Sequence, residues 1–240
     1  MNLRGMEKFT LVDYPGKIAC IVFTGGCNLR CPFCHNPVLV FEPESQPPVT
    51  ETEFFNYLSK RQGLIEGAVI SGGEPLLQSD IVDFIRRIRE MGFAVKLDTN
   101  GTLPERLYEV ITDCGVDALG IDYKTPASRY GELSGNGASD IAERVHRSIT
   151  MALASGAELD VRTTVHRRLL SAADLAKMGE ELRELGVKEW TLQQYHPVEV
   201  IDDTLSNEPT YSDRELSVLA RGLRGAMRVR VRGIYGRELD

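Results

Sequence analysis

Ile18-Ala19-Cys20-Ile21-Val22-Phe23 runs directly into Thr24-Gly25-Gly26-Cys27-Asn28-Leu29-Arg30-Cys31-Pro32-Phe33-Cys34-His35-Asn36-Pro37. The first six residues are an apolar run of strand length that ends at a glycine pair, which reads as a buried β-strand. Three of the five cysteines follow on the loop at its C-terminal end, spaced Cys27-x3-Cys31-x2-Cys34. Three soft thiolates this close can converge on one centre, and the soft-ligand choices are chiefly zinc or an iron–sulfur cluster. A structural zinc site takes four protein ligands, and His35, directly beside Cys34, is poorly placed to be the fourth. A cubane cluster ordinarily takes four cysteines, so three leave one iron open to an exogenous molecule.

Working outward, strand and helix patterns alternate. Thr50-x-x-Glu53 is a capping box before Phe54, Phe55 and Leu58 and predicts a helix over 50–62. A second strand, residues 67–71, ends in Gly72-Gly73-Glu74-Pro75, and the next helix sets Ile81, Phe84, Ile85 and Ile88 on one face. A third strand, 93–97, ends in Asp98-Thr99-Asn100-Gly101, followed by a helix with Leu107, Val110, Ile111 and Cys114 inward. A fourth, 116–121, delivers Asp122-Tyr123-Lys124, and its helix runs through Ile141, Val145, Ile149 and Ala152 to a C-capping Gly156. Strands at 158–165 and 189–194 end at His166 and at Tyr195-His196, with the helix of Leu175, Met178 and Leu182 between them. A last helix with Leu216, Ala220 and Leu223 and a closing strand at 229–231 make a C-terminal unit over about 211–233, outside a core of about 17–196. Residues 1–16 show little periodicity. Cys20 and Cys114 read as core residues rather than ligands.

Six strand–helix alternations predict an α/β fold with parallel strands in βαβ units. Alternation alone does not separate an open doubly wound sheet from a barrel. At 240 residues the whole chain, 1–240, is expected to form a single domain. No apolar run approaches the roughly 18 residues of a membrane span, and the N-terminus lacks a signal-peptide pattern. The cysteines do not suggest a disulfide framework, so a soluble, cytoplasmic protein is expected. A net charge of -7 speaks against a nucleic-acid or membrane partner.

The cysteine loop, with aromatic Phe33 before its third cysteine, resembles the cluster loop of the radical S-adenosylmethionine (SAM) enzymes. Val12-Asp13-Tyr14-Pro15-Gly16-Lys17 and Cys34-His35-Asn36-Pro37 resemble the glycyl-radical activating enzymes among them, most closely the long form of the anaerobic ribonucleotide reductase activating proteins. The resemblance implies a single-domain partial TIM barrel of the (β/α)6 radical SAM type. It implies a [4Fe-4S] cluster on Cys27, Cys31 and Cys34, and SAM cleaved reductively to a 5′-deoxyadenosyl radical. That radical would remove hydrogen from a glycine of a glycyl radical enzyme, with flavodoxin or ferredoxin as reductant. Two rivals are a radical SAM enzyme acting on a small molecule, such as a deazaguanine synthase, and a non-enzymatic zinc-binding domain.

In a parallel barrel the C-terminal strand ends share the catalytic face, and here each is polar. The resemblance makes Gly72, Gly73 and Glu74 the methionyl contacts, with Asp98, Thr99 and Asn100 for hydroxyls and ammonium. Phe33 and Tyr123 are offered to adenine, and His35, Lys124, Asp122 and His196 complete the SAM set. Plainer roles exist: Glu74 can cap the following helix, Lys124 can be a solvated charge, and His196 can be structural. Asp98 and Asp122 should repel a SAM carboxylate unless a cation intervenes. By resemblance to the formate-lyase activases, a monovalent cation is expected at Asp98, Thr99 and Asp122, although Lys124 can do the same work. The loops at 36–49, 125–137 and 197–212 are expected to admit a peptide carrying the glycine.

Overall fold

A computed structural model describes residues 1–134, 138–196, 200–233 and 238–239, the last two in backbone only. One nine-stranded sheet runs in sequence order. Its central strands are β2 (Ala19–Thr24), β3 (Gly67–Gly72), β4 (Ala94–Thr99), β5 (Ala118–Asp122), β6 (Glu158–Val165), β7 (Glu189–Gln194) and β8 (Arg228–Arg232). Every neighbouring pair from β2 to β8 is parallel. Two flanking strands, β1 (Leu3–Thr10) and β9 (Glu238–Leu239), are antiparallel to β2 and β8. The order is linear, so among the described residues the sheet stays open, as a partial barrel.

Helices α1 (Pro37–Phe41), α2 (Glu51–Ser59), α3 (Ile81–Glu90), α4 (Pro104–Asp113), α5 (Ile141–Ser155), α6 (Ala172–Glu184) and α7 (Asp213–Leu223) fill the crossovers. They form where the apolar spacing demands. Ile81, Phe84, Ile85 and Ile88 of α3 are all buried, as are Ile141, Val145, Ile149 and Ala152 of α5. The Thr50–Glu53 capping box opens α2 with both reciprocal bonds made. Gly156 ends α5 at φ 81°, a left-handed cap that a side chain would disfavour. Among the described residues, no helix is long and apolar enough to cross a membrane.

Three expectations change. Residues 3–10 form β1, which sequence pattern hid because its pairing with β2 carries register shifts at Leu3/Gly5 and Glu7/Thr10 that break the two-residue alternation. The C-terminal strand β8 adds a further parallel strand beside β7 and closes nothing, and β9 pairs beyond it. Residues 37–41 of the long loop fold as α1, started by Pro37.

The two faces of the sheet differ, and this difference positions the site. Toward the helices, Ala68, Ile70, Val95, Leu97, Leu119 and Ile121 join the main core. The inner face is apolar only at one side, where Ala19, Ile21, Val69 and Ala118 meet Tyr14. From β4 onward the positions in phase with that face become charged: Lys96 and Asp98, Asp122, Asp160 and Arg162, then Arg230 and Arg232.

Candidate active site

The cysteine loop lies where β2 ends, clamped from two sides. Asn100, just past β4, donates from its side-chain nitrogen to Asn28 at 2.9 Å and lies 3.8 Å from the Cys27 sulfur. Asn28 in turn donates to Thr102 at 2.7 Å. On the other side the Arg30 guanidinium donates to the carbonyls of Cys27 (2.8 Å) and Leu29 (2.9 Å), and the Arg30 amide to Leu133. A turn closed by the Cys34 amide on the Cys31 carbonyl at 3.0 Å presents the last two thiols together.

All three thiols are free; Cys31 is buried and the other two half-buried. Burial pushes the Cys31 thiol up to about 12; Lys124 opposes that shift, and Cys27 and Cys34 add to it. The neighbouring thiols therefore share one low-dielectric pocket and need a positive centre to ionise together. Among the described residues, no three Cys, His, Asp or Glu side chains are gathered to hold a metal ion as placed. The fit to a cluster rests on donor chemistry, three soft thiols on one clamped loop with Lys124 beside them.

The end of β3 packs directly on that loop. Gly73 donates to the Thr24 carbonyl at 2.9 Å and Glu74 to the Gly26 carbonyl at 2.8 Å. A Cβ on Gly73 would overlap the Gly26 carbonyl oxygen, and one on Gly72, at φ 118°, would overlap Thr24. The glycine pair is therefore required by the approach of two backbones. Glu74 is fully buried and accepts from the Asn100 amide (2.7 Å), the Thr99 hydroxyl (2.8 Å) and the Leu76 amide (3.0 Å). Burial outweighs these donors and raises its carboxyl to about 7. Its observed work is the helix-capping role, extended to tie β3 to β4.

Four residues expected as SAM contacts have side chains that the protein itself engages. The Glu74, Thr99 and Asn100 side chains hold the loops to one another. Tyr123 is fully buried in the helical layer, where its hydroxyl donates to Glu181 at 2.7 Å and meets His146 at 3.0 Å. Successive residues of an extended strand point to opposite faces, so with Asp122 inward Tyr123 faces the helical layer.

The inner face carries a charge network that the motif reading missed in part. Arg162 bridges Asp122 (3.0 Å) and Asp98 (3.2 Å), Lys96 meets Asp98 at 2.6 Å, and Lys124 meets Asp122 at 2.9 Å. Burial alone would raise the Asp98 carboxyl, but Arg162 and Lys96 outweigh it and hold it low. For Lys124 burial acts to lower the pKa, and Asp122 followed by the Cys31 thiol reverses this, so the ammonium persists beside the cysteines. Its nitrogen also stands 5.7 Å over the buried Phe33 ring. The sequence signal for both Lys96 and Arg162 is their phase alone: Lys96 lies two residues before the inward Asp98, and Arg162 two after the inward Asp160.

His35 leaves its Nε2 buried without a hydrogen bond, 5.8 Å ring to ring from Tyr195. Burial lowers its pKa, with His196 and then Lys124 contributing, which places all three in one neighbourhood. His166 is fully buried edge-on against Tyr195 at 4.9 Å, its Nδ1 accepting from the Arg168 amide and its Nε2, like that of His35, without a hydrogen bond. Residues 135–137 and 197–199 of the expected peptide-admitting loops lie outside the described residues.

Comparison with known proteins bears on this geometry. The radical SAM superfamily model matches residues 21–159. A Methanocaldococcus jannaschii protein provisionally named as a glycyl-radical enzyme activating enzyme is 30% identical over 220 residues, covering 90% of this chain and 89% of its own. A Methanothermobacter marburgensis protein provisionally named GTP 3′,8-cyclase is 31% identical over 69% of this chain and 53% of its own. Streptococcus suis SuiB shares the fold, with a TM-score of 0.67 at 14% identity over 90% of this chain and 49% of its own.

Proposed function

Because the chain belongs to the radical SAM superfamily, and so to a family of enzymes that use a [4Fe-4S] cluster and SAM, we propose that it is an activase that installs a glycyl radical on a partner enzyme. Anaerobic ribonucleotide reductase is the partner favoured by the Val12–Lys17 and Cys34–Pro37 motifs. The observation that carries the reading is the end-to-end likeness to the M. jannaschii protein, which leaves little of either chain unmatched.

When bound, the cluster and SAM supply a 5′-deoxyadenosyl radical, and the protein's part is to hold, orient and shield them. Cys27, Cys31 and Cys34 would hold the iron. Gly72 and Gly73 would let the backbone approach the methionyl ammonium, and Lys124 would pair with its carboxylate. Phe33 would present an apolar surface to the nucleoside, with His35, whose Nε2 has no hydrogen bond, and His196 as further contacts. Asp98 and Asp122 act through the cations they hold. A low-potential carrier such as flavodoxin or ferredoxin supplies the electron. The test uses a partner labelled with deuterium at its glycines: 5′-deoxyadenosine should acquire the label.

A second reading, radical chemistry on a small molecule, is favoured by the cyclase likeness, although the chain spans about half of that relative's length. SAM consumption without label transfer, but with turnover of a small substrate, would select it.

A further inference from the structure

Two carboxylates at the ends of adjacent strands, Asp98 and Asp122, have four oxygens between them, and each oxygen faces a nitrogen of the chain's own cations. Asp98 Oδ1 meets Lys96 Nζ at 2.6 Å and Asp98 Oδ2 meets Arg162 Nη1 at 3.2 Å. Asp122 Oδ1 meets Arg162 Nη2 at 3.0 Å and Nε at 3.1 Å, and Asp122 Oδ2 meets Lys124 Nζ at 2.9 Å. Gly120 opens the sheet for this arrangement: a Cβ there would overlap Asp98 Oδ1 and stand 3.1 Å from the Arg162 guanidinium carbon. The third expected ligand of a monovalent cation, Thr99, turns its hydroxyl away to Glu74 at 2.8 Å.

These residues do not fit an added metal cation. A hard cation needs several oxygens free to converge on it, whereas here all four carboxylate oxygens are taken and the Thr99 hydroxyl is on the opposite face. Three protein cations, Lys96, Arg162 and Lys124, already serve these two carboxylates. A guanidinium is well suited to the bridging place, because its planar fork reaches two carboxylates at once and never deprotonates.

We propose that Arg162 is the resident counter-cation of this site. It does the work expected of a sodium or potassium ion, and it is a positioning residue that fixes Asp122 and, through Asp122, orients Lys124 toward the SAM carboxylate. The proposal rests on the radical SAM reading but not on the identity of the partner enzyme, and its test contains no partner.

The experiment exchanges the protein into tetramethylammonium buffer and titrates it with thallium(I), followed by thallium NMR, and with potassium at constant ionic strength, followed by thermal unfolding. The unsubstituted protein should bind no thallium and show no saturable potassium-dependent rise in unfolding temperature. For the reconstituted protein, Arg162→Gln should weaken SAM binding about tenfold in tetramethylammonium. Potassium should restore that binding, a rescue that a merely structural arginine would not show. Stoichiometric thallium binding by the unsubstituted protein, abolished by Asp98→Asn, would overturn the proposal. So would a folded Arg162→Gln variant whose SAM affinity is unchanged or indifferent to potassium. Should that variant not fold, the thallium titration of the unsubstituted protein decides alone.

Discussion

The carboxylate of Glu74 and the backbone amide of Asn100, 26 residues apart, are joined by a 2.7 Å hydrogen bond that ties the loop after β3 to the loop after β4. Asn100 also reaches the Cys27 sulfur, so Glu74 supports the cysteine loop at one remove.

Because burial raises Glu74 to about 7 from an ordinary 4.5, the folded state binds its proton more tightly than the unfolded chain. Its contribution to stability is full below the unfolded pKa and declines as pH rises through 7. The stability advantage of the native protein over Glu74→Gln should therefore shrink by up to about 3 kcal/mol between pH ~4.5 and ~7.5. Denaturant unfolding across this range measures it, and parallel curves for the two proteins would refute the assignment.

Gly73→Ala should be damaging out of proportion to one methyl group. The added carbon meets a backbone oxygen, which cannot rotate away as a side chain can. A loss of at least about 1–3 kcal/mol is expected, as for overpacking in a dense core. Gly222→Ala in α7, where nothing lies within 4 Å of the new carbon, serves as the control. It should be neutral or stabilise by about 0.5–1 kcal/mol. Equal melting temperatures for the two variants would contradict the close approach of β3 to the cysteine loop.

Tyr123→Phe separates the helical layer from the inner face. Loss of the hydroxyl leaves Glu181 and His146 short of a partner and should cost about 1–3 kcal/mol. SAM affinity should stay within about twofold, since Tyr123 faces away from the inner surface. A fall in SAM affinity larger than the loss of folded protein explains would place Tyr123 in the nucleoside pocket after all.

Cys→Ala at position 27, 31 or 34 should abolish cluster absorbance after anaerobic reconstitution. Cys20, buried within β2, and Cys114, bonded to the Val110 carbonyl at the end of α4, should be replaceable by Ser or Ala with the absorbance kept. Loss of the cluster in a folded Cys114→Ala variant would show that the ligands are misassigned.

These residues also show where sequence was enough. Helix faces such as Ile81, Phe84, Ile85 and Ile88 were legible because one apolar stripe settles both the helix and its orientation. The strands β6 and β7 were legible to the residue. β1 was not, since its place comes from pairing with β2 and not from its own pattern. At the site, sequence pointed to the polar strand ends but did not show which of their side chains the protein itself engages. Thr99, Asn100 and Tyr123 are polar for the sake of loop and helix contacts, which a motif cannot reveal. Arg162 and Lys96 belong to no motif, and only the register of β4 to β6 brings them to Asp98 and Asp122.

Electron paramagnetic resonance of a partner enzyme tests whether this protein is a glycyl-radical activase. The reconstituted and reduced protein is incubated anaerobically with SAM and an anaerobic ribonucleotide reductase, and the partner is then isolated. A glycyl radical signal should appear on the partner together with 5′-deoxyadenosine and be absent when Cys31→Ala protein is used. Sustained SAM cleavage with a small-molecule substrate, and no radical on this or any other glycyl radical enzyme offered, would contradict that function.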